Sequence, residues 1–223
     1  MTGNSSSLAV KIIAIILIAG LILAVIASTG VFYVPVVSET LGTTTPKDLG
    51  INYDPAKFYD LLDRENVTLS GPASDYPLTA SIRYGPSAPM DATVTSEELT
   101  AMMQETNNAN GPLKNMQVRL GNNNQMEISA NADLAQIGYP FKGPVYLKGT
   151  LEKADSGSVK ITLTEGTLGL VPIPEFGLQQ GEAGLAKAIN HQLASMPGMQ
   201  INTLSINNGQ LHYTGEFPQT ATA

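Results

Sequence analysis

The chain of 223 residues contains no cysteine. That excludes disulfides, thiolate metal sites, thiol nucleophiles and a lipid anchor attached to cysteine. Histidine is almost as scarce: His191 and His212 are the only two. Neither sits in a Cys, His or carboxylate pattern with ligand spacing, so both read as solvated surface residues rather than metal ligands or general bases. Basic residues are in deficit, with 12 Lys and Arg against 19 Asp and Glu and a net charge of −7. Lys11 is the only charge before Glu39, so the acidic excess falls entirely on the remainder of the chain. Such a surface repels phosphate backbones and excludes nucleic acid as an expected partner. It also matches anionic headgroups poorly, apart from what an anchor enforces.

Catalytic motifs are missing as well. No Gly-x-Ser-x-Gly elbow, Walker loop or Gly-x-Gly-x-x-Gly turn occurs. Ser156-Gly157-Ser158 reads as a hairpin tip. Glu97 and Glu98 read as first-turn helix charge, and Asp133 and Asp155 sit in turn contexts. No enzymatic activity, cofactor or metal is expected.

What the chain has in abundance is a run without charge, from Ile12 to Ser38. About 20 helical residues cross a hydrocarbon core of roughly 30 Å. Ile12, Ile16, Leu21 and Leu23 supply the apolar body of such an anchor, while Phe32 and Tyr33 fall where an outer aromatic belt would lie. Lys11 on the short side gives a cytoplasmic N-terminus and places the rest outside the cytoplasm. The competing reading is a cleaved signal peptide with Val25 and Ala27 at its cleavage site. The expected organisation is a cytoplasmic stub and transmembrane anchor at 1–37, a linker at 38–50, and an extracytoplasmic domain at 51–223. The expected location is the cell membrane, single-pass.

Within that domain, Asp54-Pro55 followed by Phe58, Leu61 and Leu62 predicts a helix at 55–64. A strand is expected at 78–84. Thr95 and Glu98 form a capping box for a helix at 96–106. Alternating apolar residues predict hairpins around Gly121–Asn124, around Lys153–Ser158 and around Asn207-Asn208-Gly209. A helix at 182–196 presents Leu185, Ile189, Leu193 and Met196 on one face. Consecutive hairpins imply antiparallel pairing, and the predicted class is α+β: a transmembrane helix, then a curved antiparallel β-sheet packed against two or three helices.

Four stretches carry a family resemblance: VTSEELTAMMQ, KNMQVRLGNNNQMEISANADL, GPVYLKGTL and INHQLASMPGMQINTLSINNGQLHYTG. Together with the N-terminal anchor, over about residues 93–217, the chain resembles the YpmS-like and LmeA-like membrane-anchored exported proteins. That type is related to the tubular lipid-binding superfamily, so the resemblance implies a curved sheet that wraps a helix and holds acyl chains.

Two stretches with loop-like Pro and Gly content are unusually apolar, Leu134–Pro144 and Leu168–Leu178. Ile137, Tyr139, Phe141, Leu170, Val171, Ile173 and Phe176 are the candidate residues for an apolar groove or membrane-facing edge. The alternative is that these loops fold back to close the core. Asn66-Val67-Thr68 is a glycosylation sequon, with Asn66 as acceptor if the domain faces a glycosylating compartment. Expected partners are the bilayer, through the anchor, and a lipid or amphiphile ligand. The alternative is an envelope protein recruited by a scaffold that has no ligand cavity.

Overall fold

The structure, a computed structural model, describes residues 45–64, 71–77, 83–133, 135, 141–218 and 221–222. The run read as an anchor, with Ile12, Ile16, Leu21, Leu23, Phe32 and Tyr33, lies outside the described residues, as do Asn66 and residues 78–82 of the expected strand. Among the described residues no helix is long and apolar enough to cross a membrane.

Asp54 opens helix α1 (Pro55–Arg64) by accepting the Ala56 amide at 2.9 Å, and Phe58, Leu61 and Leu62 form its buried stripe. Two strands follow, β1 (Arg83–Tyr84) and β2 (Ser87–Thr95). Helix α2 (Ser96–Asn107) starts on the expected capping box. The Glu98 amide donates to Thr95 Oγ1 at 3.2 Å, and the Thr95 amide donates to Glu98 Oε2 at 2.9 Å. Then come β3 (Leu113–Leu120), β4 (Gln125–Asp133), β5 (Lys142–Lys153), β6 (Val159–Leu168) and a two-residue β7 (Val171–Pro172). Helix α3 (Glu175–Ala194) precedes the final hairpin of β8 (Gln200–Asn207) and β9 (Gln210–Pro218), and β10 (Ala221–Thr222) pairs with β1.

The α+β class holds, with antiparallel strands and three described helices, but the expected single sheet is two main sheets beside the short β1–β10 pair. One runs β2-β9-β8 and the other β3-β4-β5-β6-β7. The cause is β2, which the sequence pattern did not reveal because Pro89 and small residues dilute its alternation. It pairs along its whole length with β9, from Ser87 opposite Pro218 to Thr95 opposite Gln210, and so draws the last hairpin into its own sheet. Pro89 is tolerated there because β2 is an edge strand. Helix α3 also begins seven residues before the expected 182, since Pro174 supplies its entry and Glu175 its first-turn acid.

Bulges bend both sheets. Thr164 on β6 has no partner on β5, Asn202 on β8 has none on β9, and β3 bulges near Asn115, whose φ is 51°. Two glycines stand beside these bulges because the neighbouring strand passes too close for a side chain. A Cβ on Gly149 would lie 2.3 Å from the Thr162 carbonyl, and one on Gly215 would lie 1.9 Å from the Gln200 carbonyl.

Side chains from helices close β3, one edge of the five-stranded sheet, and the part of β6 that the two-residue β7 leaves uncovered. On β3, the Leu120 amide donates to Ser96 Oγ at 3.0 Å. The Val118 amide donates to Thr100 Oγ1 at 3.0 Å, and Gln104 Nε2 donates to the Met116 carbonyl at 3.0 Å. Ser96, Thr100 and Gln104 are spaced by four along α2, one polar stripe on a buried helix. On β6, the Leu163 amide donates to Glu182 Oε1 at 2.7 Å. Asn190 brackets Val159, accepting its amide at 2.9 Å and donating to its carbonyl at 3.0 Å. A strand edge otherwise exposes these groups to water or to another chain.

The two main sheets join where the Asn-rich turns meet. Asn208-Gly209 is the two-residue loop of the last hairpin, with φ of 54° and 76°, as the Asn-Gly pair predicts. The β3–β4 turn grips it. Asn122 Oδ1 accepts the Asn208 amide, Asn124 Oδ1 accepts the Ile206 amide, and Asn207 Oδ1 accepts the Asn123 amide, at 2.9, 2.9 and 3.1 Å. Behind these contacts lies one continuous core that includes Phe58, Leu99, Met116, Ile128, Leu185, Ile206 and Tyr213.

Thr100→Val leaves the buried Val118 amide without an acceptor, at an expected cost of about 1–3 kcal/mol. Urea unfolding should show the lowered midpoint, with Thr100→Ser much closer to wild type. Asn124→Gly keeps the left-handed backbone that Asn124 adopts at φ 62° but removes its acceptor. It should cost about 1 kcal/mol in the same assay.

Candidate functional site

Residues 45–50, the second half of the expected linker, run across the outer face of the five-stranded sheet. That face carries Gln117 and Arg119 on β3, Glu127 and Ser129 on β4, and Tyr146 on β5, with Gln117, Ser129 and Tyr146 in register. Leu49 is buried against it. Its amide donates to Gln117 Oε1 at 2.7 Å, and its carbonyl accepts Arg119 Nη1 at 3.4 Å. Lys47 Nζ sits 3.5 Å from the centre of the Tyr146 ring, a cation–π contact. The Tyr146 hydroxyl donates to Glu127 Oε2 at 2.7 Å, and Arg119 donates to Glu127 Oε1 at 2.7 Å. The Gly50 amide donates to Asp48 Oδ1 at 2.8 Å and turns the strap with Gly50 at φ 71°.

The strap ends beside an apolar edge. Thr45, Lys47, Tyr146, Glu165 and Leu170 are among the residues that border a cleft of about 350 Å³. The β6–β7 turn forms its far wall and continues into Val171 and the start of α3. Leu170, Val171 and Phe176 are 69%, 50% and 59% exposed, whereas Ile173 between them is buried. Phe141 is buried too. Of the seven candidate groove residues, the structure therefore sends two into the core and three to the surface. Ile137 and Tyr139 lie outside the described residues.

A second cleft, of about 470 Å³, is bordered by Lys114, Asn131, Asp133 and Lys142. Its cations are engaged. Lys114 Nζ donates to the carbonyls of Asn107, Asn108 and Ala109 at the end of α2, and Lys142 pairs with Asp133 at 3.0 Å. Asp155 accepts the Gly157 amide at its hairpin tip. His191 is exposed at the end of α3, and His212 bonds Asp91 at 2.9 Å on the open face of β9 and β2.

Sequence reasoning singled out Leu170, Val171 and Phe176, which the structure exposes, but missed the strap. Its one signal was Leu49, one of two leucines in a linker otherwise rich in Thr and Gly. The groups it rests on were unmarked, because Gln117, Arg119 and Glu127 look like the ordinary solvent face of alternating strands.

Comparison of the chain with protein-family models, with curated proteins and with solved structures gives no match.

Burial pushes the Glu127 carboxyl upward, but the hydrogen bonds from Arg119 and Tyr146 outweigh it and hold the group below its ordinary 4.5. Burial and the neighbouring Glu127 raise the Tyr146 phenol, which remains a donor at neutral pH. A depressed folded-state value means the network stabilises fully above pH 4.5 and is lost as pH falls through the lower folded value. The unfolding midpoint should therefore drop as pH falls from 4.5 through the lower folded-state value, and Glu127→Gln should flatten that drop.

Proposed function

We propose that the protein is a membrane-anchored, extracytoplasmic and non-catalytic domain that binds lipid or another amphiphile at the bilayer surface. One observation carries this reading: Thr45, the first described residue of the strap, borders the same cleft as the exposed Leu170. The chain that follows the uncharged run from Ile12 to Ser38 thus enters the domain at its apolar end. Burying exposed side chains there is favourable by roughly 0.8 kcal/mol per CH₂ removed from water. Ile173 roots this edge in the core, and Leu170, Val171 and Phe176 supply the contact.

The tightness of the core favours a second reading, an envelope scaffold that recruits a protein and has no ligand cavity. A Cβ on Gly166 would lie 2.9 Å from both Ile173 and Leu147 and 3.1 Å from Leu178, so helix and sheet are in direct contact below the edge. An acyl chain has no room at that place, and an amphiphile would have to lie on the edge.

Native mass spectrometry of the full chain released from mild detergent distinguishes the two. Retained lipid that is lost in a Leu170→Ser, Phe176→Ser double variant supports the amphiphile reading. A lipid-free chain that crosslinks to one envelope protein in intact membranes supports the scaffold. Protease added outside intact cells should digest the domain and leave an N-terminal tag protected. The reverse pattern contradicts both readings.

A further inference from the structure

The apolar edge is an ordered surface. The Gly169 amide donates to the Pro144 carbonyl and the Ile173 amide to the Gly166 carbonyl, both at 2.8 Å. The Gly177 and Leu178 amides donate to the Pro174 carbonyl at 2.9 and 3.1 Å, which fixes the first turn of α3. Ile173 and Leu178 root this backbone in the core. Leu170, Val171 and Phe176 are thus held out into water by hydrogen-bonded structure. Nothing in the fold needs hydrocarbon at those three positions, and a clustered exposed apolar surface marks a contact site.

The chain outside the described region limits what can meet this surface. Only residues 39–44 separate the end of the uncharged run from Thr45. At about 3.5 Å per residue, the twelve steps from Tyr33, at the expected outer interface, to Thr45 span at most roughly 42 Å, whatever their path. The cleft shared by Thr45 and Leu170 therefore stays within that distance of the bilayer. The other end of the sheet, at the β5–β6 tip near Ser156, lies roughly 26 Å from the cleft along the eight steps of β5 from Val145 to Lys153. Glu165 and Lys47 border the cleft and Glu175 adjoins Phe176, so the rim carries both signs of charge with no basic excess to draw anionic headgroups.

We propose that Leu170, Val171 and Phe176 insert into the interfacial layer of the anchoring bilayer, docking the domain end-on against zwitterionic lipid. This rests on the anchored, extracytoplasmic reading above. Three small insertions suffice because the tether holds the edge at high effective concentration near the surface. The Asn-clasped end then points away from the membrane.

The absence of cysteine makes the test direct, since each introduced cysteine is unique. Full-length Val171→Cys and Ser156→Cys, the latter at an exposed site on the distant tip, are labelled with an environment-sensitive dye. Both are reconstituted into phosphatidylcholine vesicles, with and without lipid carrying a quencher on its acyl chain. The expected result is a blue-shifted Val171 label quenched several-fold more than the Ser156 label. Adding Leu170→Ser and Phe176→Ser should bring it down to the Ser156 level. Vesicles that co-float with the chain while the Val171 label behaves like the Ser156 label overturn the docking and leave the anchored reading intact. A chain that fails to co-float overturns both.

Discussion

A β-sheet of five strands has two edges, and each leaves backbone donors and acceptors that must find partners. This fold meets that constraint with helices. Helix α2 lays Ser96, Thr100 and Gln104 along β3, and α3 lays Glu182 and Asn190 along β6. The same helices also carry apolar faces, with Leu99, Met102 and Met103 on α2 and Leu185, Ile189 and Leu193 on α3 in the core. Each helix is therefore both a lid on the core and a substitute for a strand. Losing one of these hydrogen bonds leaves a buried amide unpaired, which is costlier than losing the net value of the bond.

The edges being closed, the two ends of the sheet take different roles. At one end the Asn122, Asn124 and Asn207 side chains tie the two sheets together through backbone amides. At the other, the strap from Thr45 to Gly50 meets the β6–β7 turn and its exposed leucine and valine. The strap is held by Leu49 burial and by the chain of contacts from Lys47 through Tyr146 and Glu127 to Arg119. It fixes where the N-terminal chain joins the body, beside the exposed apolar edge.

Much of the fold was legible because local physics and tertiary structure agree. The capping box at Thr95 and Glu98, the Asn-Gly turn at 208–209, and the alternation in β3, β4, β5, β6, β8 and β9 each specify their element through neighbours a few residues away. What was not legible depended on distance. Strand β2 gives little local signal, since its stability comes from β9 more than a hundred residues later. The division into two sheets follows from that pairing. Ser96, Thr100 and Gln104 looked like a helix's polar face, because a hydrogen bond to a strand edge leaves the same pattern in sequence as a hydrogen bond to water. The apolar loops were split for a similar reason: Ile173 and Phe176 are alike in composition, and only the path of α3 buries one and exposes the other.

Amide hydrogen exchange tests the helix-closed edges most directly. The amides of Val118 and Leu120 on β3, and of Val159 and Leu163 on β6, face no strand but donate to helix side chains. They should exchange as slowly as the amides of the interior strand β4. Exchange at the rate of unprotected edge amides would contradict the account, because α2 and α3 would then rest on the sheet without completing it.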